Sequence, residues 1–475
     1  MQNINVWLVG AGAGDVGLLT LRALEVLRNS DVVIYDRLVG DSVLSLIPEH
    51  AKKINVGKIP GKNIFTQQDI QDLIISHAMQ NLNVVRLKGG DPFLFGRGGE
   101  EAQALAKSGI NFEIVPGVSS ALAVPAYAGI PVTHRDFCSG VNIMTAHRQA
   151  NPENFRETLV YLMGVSESAN LSDRLIASGL EKNTPCAIIS NGTTSREKIL
   201  RSTLEKFPDE MRDAKIIPPA VIIIGEVASL NLDWRKNFPL RNCKIALTRP
   251  IERSENLSRM LRNSGAEVIL LPCIKTEIIP DSLTGKNISG YDWLAFTSVT
   301  GVEAFFELLR VNNRDVREIA CAKIAAIGEA TAHALRNHGL KVDFVPEIYD
   351  GENLAHELVN MSGEILFFRA ENASREIQKI FASREKNYTE ICTYRTNYVK
   401  SACIPESLDI IIFTSASTVR GFAGLTQRFR DVRVVCIGKQ TAREAENFGF
   451  TNISTAKRAT ESEIFETVMR SQNKS

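Results

Sequence analysis

Residues 84–101 read Val-Val-Arg-Leu-Lys-Gly-Gly-Asp-Pro-Phe-Leu-Phe-Gly-Arg-Gly-Gly-Glu-Glu. A short apolar strand, 84–87, runs into Gly89-Gly90-Asp91-Pro92. That is backbone free of side-chain bulk, then a carboxylate, then a proline that stops the strand. Gly96, Gly98 and Gly99 leave a second thin loop around Arg97, ahead of the acidic helix start at Glu100-Glu101. Such a loop lets a flat or charged ligand approach the main chain closely. A short Gly-rich run is commonly an ordinary turn, but eighteen residues in this order form a specific signature.

Outward from this loop, strand and helix patterns alternate to both ends of the chain, which predicts α/β domains with largely parallel sheets. Strands are expected over 4–9, 32–35, 159–162, 185–190 and 220–224, with a helix over 18–28. At 475 residues the chain is too long for one core, and two to four domains are expected. A break near Pro116-Gly117 divides the first half into 1–117 and 118–230. Residues 231–242 lose periodicity and contain Pro239, as a linker would.

Beyond the linker the chain nearly repeats itself. Phe296-Thr297-Ser298 opens a segment that later reads Ile327-Gly328-Glu329-Ala330-Thr331-Ala332. Phe413-Thr414-Ser415 opens one that reads Ile437-Gly438-Lys439-Gln440-Thr441-Ala442. The separation, 438 − 328 = 110 residues, points to two duplicated α/β subdomains rather than a short-period solenoid. Each copy places hydroxyls just after an apolar strand, where they either cap a helix or help its N-terminus hold an anion. Recurrence at matching places favours binding.

Composition narrows the function. Hydrophobic content of 44% and charged content of 23% are those of a globular protein, and the net charge of +1 argues against a general nucleic-acid binder. No apolar run is long enough to span a bilayer, because 216–224 is broken by Pro218-Pro219. The N-terminus has no charged region ahead of an apolar one, so no signal peptide is expected. Eight scattered cysteines without a Cys-x-x-Cys pair suit a cytoplasmic enzyme without disulfides, and seven histidines without ligand spacing make a metal site unexpected.

Gly12-Ala13-Gly14-Asp15-Val16-Gly17 fits the Gly-x-Gly-x-x-Gly dinucleotide fingerprint, and Asp36 ends the next strand at the spacing of a ribose-binding acid. An NAD-dependent dehydrogenase is therefore one reading. The wider context opposes it. Gly10 to Asp15, followed by Leu18-Leu19-Thr20-Leu21 and Tyr35-Asp36-Arg37-Leu38-Val39, closely resembles uroporphyrinogen-III C-methyltransferases, as does the 84–101 loop. Later landmarks of that resemblance, which covers 4–230, are Val115 to Ser120, Ala126 to Asp136, Tyr161 to Gly164, Asn191 to Thr194 and Gly225-Glu226-Val227.

The resemblance implies a two-subdomain tetrapyrrole methylase fold that transfers methyl groups from S-adenosylmethionine (SAM) to a tetrapyrrole. By position, its cofactor contacts fall on Ala13, Gly89, Gly90, Asp91, Leu94, Ser119, Ser120, Met163 and Gly192. It also implies Asp36 as proton acceptor and Lys58 as proton donor, with Arg37, Lys58, Arg97, His134 and Arg135 available to the substrate's carboxylates. Two departures stand out. Ala13 takes the place of the family's usual proline, and Ala146 the place of a glycine before His147. Neither removes a chemical group.

Residues 243–475 resemble uroporphyrinogen-III synthase through 245–250 (Ile-Ala-Leu-Thr-Arg-Pro), the paired Phe-Thr-Ser segments, Val345-Pro346-Glu347 and Thr393-Tyr394-Arg395-Thr396. The resemblance implies two subdomains, 243–273 with 399–475 and 274–398, joined by two crossing strands. It places Tyr394, Ser415 and Thr441 in the polar cleft, Tyr394 assisting loss of the substrate's hydroxyl. Arg249, Arg369 and Arg375 are candidates for carboxylates. The expectation is a bifunctional cytoplasmic enzyme that makes uroporphyrinogen III and methylates it to precorrin-2, towards sirohaem and cobalamin. A synthase-like half kept for regulation is the alternative. The methylase half implies a homodimer, and no dehydrogenase–chelatase module is expected before Ile4.

Overall fold

The computed structural model describes residues 4–57, 65–146 and 156–472. The described residues form four five-stranded sheets. The first holds β1 (Val6–Gly10), β2 (Val32–Tyr35), β3 (Lys52–Asn55), β4 (Val84–Lys88) and β5 (Phe112–Val115), in the order β3-β2-β4-β1-β5 with every pairing parallel. Its strands β1 and β2 read as continuous apolar runs because both faces are covered, with Val9, Val33 and Leu87 in one core and Leu8, Ile34 and Val84 in the other. Each such buried side chain contributes about 1.5–3 kcal/mol.

The second sheet holds β6 (Val141–Thr145), β7 (Thr158–Leu162), β8 (Pro185–Ser190), β9 (Lys198–Thr203) and β10 (Ala220–Ile224). Its order is β6-β7-β10-β8-β9, and only β6 and β7 pair in parallel. The largely parallel sheet expected here is therefore mixed. The reason is connectivity: β8 reaches β9 through a short turn, which permits only antiparallel pairing.

In the second half, β11 (Lys244–Leu247) and β12 (Glu267–Leu270) open a sheet that the chain then leaves. It builds β13 (Ile274–Ile278), β14 (Trp293–Phe296), β15 (Lys323–Ala326), β16 (Ile365–Ala370) and β17 (Thr389–Tyr398) in the order β13-β17-β16-β14-β15. It returns to add β18 (Ile410–Phe413), β19 (Arg433–Cys436) and β20 (Ile453–Thr455), completing β12-β11-β18-β19-β20. The antiparallel pair β13 and β17 carries the chain out and back, and Val399 N donates to Cys273 O at its base.

The duplication is visible in the caps. Ser298 and Ser415 follow β14 and β18 in nearly identical extended conformations, φ −169° and −168°, and each side chain accepts from the third amide of the next helix. Gly328 and Gly438 precede the following helices in the same way. The helix expected over 18–28 starts instead at Leu21, because Thr20 accepts from Ala23 N and fixes the first turn there.

The stretch 231–242 has no regular secondary structure, yet it is no free tether. Leu240 is fully buried, Trp234 Nε1 donates to Ala126 O at 3.0 Å, and the buried Arg235 pairs with Glu197. All eight cysteines are free thiols, and burial pushes Cys436 up to about 12. Among the described residues no helix is long and apolar enough to cross a membrane, and no group of three or more His, Cys, Asp or Glu is placed to hold a metal ion.

Candidate active sites

The loops at the carboxyl ends of β1, β2 and β4 converge. Ala11 N donates to Lys88 O at 2.8 Å, while Gly12 and Gly90 exchange both main-chain hydrogen bonds at 3.2 and 2.7 Å. Gly90 sits at φ +69°, a conformation glycine adopts without strain. Gly117 packs so tightly beneath it that an added Cβ would lie 2.3 Å from Gly90 O. Asp91 braces the bend: Oδ1 accepts from Phe93 N and Leu94 N at 2.8 and 3.1 Å, and Oδ2 accepts from Gly117 N at 3.0 Å.

Between these loops and the second sheet lies a cavity of about 810 Å³, within the size range of small-molecule sites. Ala13, Gly89, Gly90, Leu94, Ser120, Met163 and Gly192 all line it. Asp91 and Ser119 stand outside its wall; Ser119 accepts from Ala121 N as a helix cap. The remaining wall is mixed. Ile189, Val221 and Leu162 offer apolar surface, and Asp36, Arg86, Lys88 and Arg97 offer charge. Glycine backbone, a polarizable thioether and apolar side chains beside a carboxylate suit a ligand with an aromatic base and a cationic centre, so the donor set fits SAM.

Asp36 is held in a charge cluster. Arg86 Nη2 reaches its Oδ1 at 2.6 Å and Lys88 Nζ its Oδ2 at 3.8 Å. Both cations also meet Glu101 Oε1, at 3.1 and 3.0 Å, and Gln67 Nε2 donates to that same oxygen at 3.2 Å. Burial, then Arg86, pushes the Lys88 ammonium below the usual lysine range, against the pull of Glu101 and Asp36. Arg86, Lys88 and Glu101 are absent from the site expected from sequence, although all three lie in the 84–101 stretch. The available signal was two cations alternating with Val85 and Leu87 in a strand otherwise built for burial on both faces.

The other expected residues disperse. Arg97 lines the cavity but pairs with Glu100 at 2.6 Å. Arg37 and Arg135 are exposed and outside the wall, and the His134 ring packs on Phe137 at 4.8 Å, likewise outside it. Lys58 lies outside the described residues. The dinucleotide reading lacks its geometry as well. The glycine loop is bonded to Gly90, Asp36 is bonded to Arg86, and the next α-helix begins only at Leu21 under its own cap.

In the second half, Tyr394 is nearly buried on β17, and its hydroxyl lies 2.9 Å from Ser298 Oγ. Ser298, which also takes Gly301 N at 2.9 Å, is the partner the expected site lacked. Ser415 and the buried Thr441 sit on the other sheet's helices, Ser415 in a capping box with Thr418. Arg249 meets Glu461 at 2.5 Å. Arg253 closes the short helix Ile251–Arg253 after β11; burial pushes its guanidinium down, with Tyr394 opposing. Arg369 is buried and bonded to Glu390 at 2.9 Å and to Ser374 O at 2.6 Å, a structural arrangement, while Arg375 is exposed.

Residues 5–208 match the family of tetrapyrrole (corrin/porphyrin) methylases, and residues 255–466 match uroporphyrinogen-III synthase HemD. The porphyrin biosynthesis protein HemD of Ruminiclostridium josui is 39% identical, over 98% of this chain and 97% of that one. The uroporphyrinogen-III C-methyltransferase of Bacillus subtilis is 36% identical, over 72% of this chain and 73% of its own. Among solved structures, the uroporphyrin-III C-methyl transferase of Thermus thermophilus complexed with S-adenyl homocysteine is 38% identical over 47% of this chain and 98% of that chain, with a TM-score of 0.41. With both halves matched and one relative aligned end to end, the chain belongs to the HemD-type family of fused proteins, in which a tetrapyrrole methylase precedes a uroporphyrinogen-III synthase.

Proposed function

We propose that the chain is a bifunctional enzyme of tetrapyrrole synthesis. The second half closes hydroxymethylbilane to uroporphyrinogen III, and the first half methylates that product to precorrin-2 with SAM as donor. The observation that carries this reading is the position of Asp36, a carboxylate in the wall of a cavity framed by glycine backbone and Met163. SAM supplies an electrophilic methyl group. Attack by a pyrrole carbon leaves a proton to be removed, and Asp36 is the acceptor for it. Ala13, Gly89, Gly90, Leu94, Ser120, Met163 and Gly192 hold the donor, while Asp91 and Ser119 keep the loops in shape.

Arg97, Arg37, His134 and Arg135 take the substrate's carboxylates, and Lys58 is the proton donor. In the synthase half, Tyr394, Ser415, Thr441 and Arg249 form the site, where holding one conformation of a substrate that cyclises unaided is most of the task. The division 1–117, 118–230 and 243–475, with 243–273 joined to 399–475 around 274–398, is supported by the membership of the four sheets. We assign the chain to the cytoplasm and to a homodimer formed through the methylase half, where Phe93, Val118 and Leu122 are exposed.

The test is to supply hydroxymethylbilane and SAM to the full-length protein and identify the products. Precorrin-2 is expected. Uroporphyrinogen I at the spontaneous rate would overturn the synthase assignment, and unmethylated uroporphyrinogen III would overturn the methylase assignment.

A further inference from the structure

The reading of Asp36 as proton acceptor leaves a difficulty, on which this inference rests. The tetrapyrrole is a polycarboxylate, and its arrival raises the negative potential around Asp36 and favours the protonated, inactive acid. Something in the wall must offset that. Arg86 and Lys88 lie on alternate positions of β4, are 1% and 3% exposed, and both reach Asp36 from inside the protein. Two buried cations beside one carboxylate would themselves be costly. Glu101, 1% exposed, supplies the second negative charge, with Oε1 shared between Arg86 and Lys88. Its Oε2 is buried with no hydrogen-bond partner among the described residues.

We propose that Arg86 and Lys88 are positioning residues for Asp36, keeping its carboxylate ionised and oriented towards the cavity while the polyanionic substrate is bound, and that Glu101 sets how strongly they do so. Among the described residues, the charged groups around Asp36 are Arg86 and Lys88 from β4 and Glu101 from the helix Gly98–Lys107, with Arg97 and Glu100 at the start of that helix and the exposed Arg37 next to it in sequence. Gln67 contributes a neutral amide. Arg97 and Glu100 pair with each other, which leaves Arg86 and Lys88 on one side and Glu101 on the other to act on Asp36 with opposite sign.

The test is the pH dependence of kcat for methylation of uroporphyrinogen III by the full-length protein. Lys88→Met removes a cation and should move the acid limb to higher pH by about one unit. Lys88→Arg should restore most of the shift. Glu101→Gln keeps an acceptor for the two cations but removes the opposing charge, so the limb should move to lower pH. Asp36→Asn is the control: methylation at the parent rate would overturn the reading of Asp36 itself. Given a depressed Asp36→Asn, unmoved limbs in both other variants would overturn the inference. A Lys88→Met effect confined to KM for the tetrapyrrole would instead make Lys88 a substrate contact and equally overturn it. Should Lys88→Met not fold, as judged by thermal melting and SAM calorimetry, the direction of the Glu101→Gln shift decides.

Discussion

Lys244, at the start of β11, donates from Nζ to Asp41 Oδ2 at 2.8 Å, joining the synthase half to the helix that begins five residues after Asp36. The same ammonium meets Glu267 Oε1 at 3.0 Å, and Glu267 Oε2 accepts from the amide and hydroxyl of Ser195 at 2.9 and 2.6 Å. Leu270 N donates to Ser45 Oγ at 3.3 Å, and Leu46 packs against the synthase core. The synthase sheet built on β11 is therefore docked on the methylase, with its edge strand β12 facing the helix Asp41–Leu44. The two halves are thus held together by direct contact and not only by the 231–242 stretch.

Lys244→Met removes a side chain that is 3% exposed and leaves Asp41 unpaired, while Glu267 keeps Ser195. The expected loss is about 2–3 kcal/mol, at or just below the cost of breaking a buried pair. Urea unfolding should change from one transition to two as the halves uncouple. A single transition with an unchanged midpoint would show that the pair is not structural.

The same contact predicts alkaline sensitivity. Burial opposes the Lys244 charge, but Glu267 and Asp41 outweigh it, so the ammonium is held above its ordinary 10.5. A raised folded value contributes stability that is fully present below 10.5 and is lost as pH rises through the folded value. Stability of the full chain should therefore fall above about pH 10.5, and fall less in Lys244→Met, when melting temperatures are compared across pH.

Asp36→Asn should lower kcat for methylation by about 10²-fold or more while leaving ring closure at the parent rate. The acceptor lies on the first sheet, whereas Tyr394 and Ser298 belong to the fourth. Assaying both reactions on one preparation checks this. Loss of both activities in a folded protein would mean that the two sites do not work independently.

Asp91→Ala leaves three main-chain N–H groups without their acceptor. SAM affinity should fall about tenfold or more, because the loop that carries Gly89 and Gly90 relaxes. Asp91→Asn, which retains one carbonyl oxygen, should be milder. Calorimetric titration with SAM gives the order; equal loss in both variants would favour direct contact between the Asp91 charge and the donor.

Tyr394→Phe removes the 2.9 Å hydrogen bond to Ser298 but keeps the ring. Ser298 still caps its helix through Gly301 N, so the fold should hold. Ring closure should slow by about tenfold, and isomer analysis of the product should still show type III in excess over type I. Complete loss would make the hydroxyl indispensable.

Much of the fold was legible because strand and helix patterns are local. Apolar runs such as 32–35 and 185–190 and the recurring Phe-Thr-Ser segments report burial and capping that neighbouring residues decide. The loops that admit a ligand were legible for the same reason, since glycine at Gly89 and Gly90 shows where backbone comes close to something. Tertiary structure decided what the charges do. Nothing local shows that Asp91 also accepts from Gly117 N, that Arg369 is tied to Glu390, or that the 231–242 stretch is packed around Arg235. Nor does sequence spacing show that Arg86 and Lys88 meet Asp36, 50 and 52 residues away, or that Lys244 meets Asp41, 203 residues away. A charge acts over a few ångströms in space, and only folding sets which residues are that close.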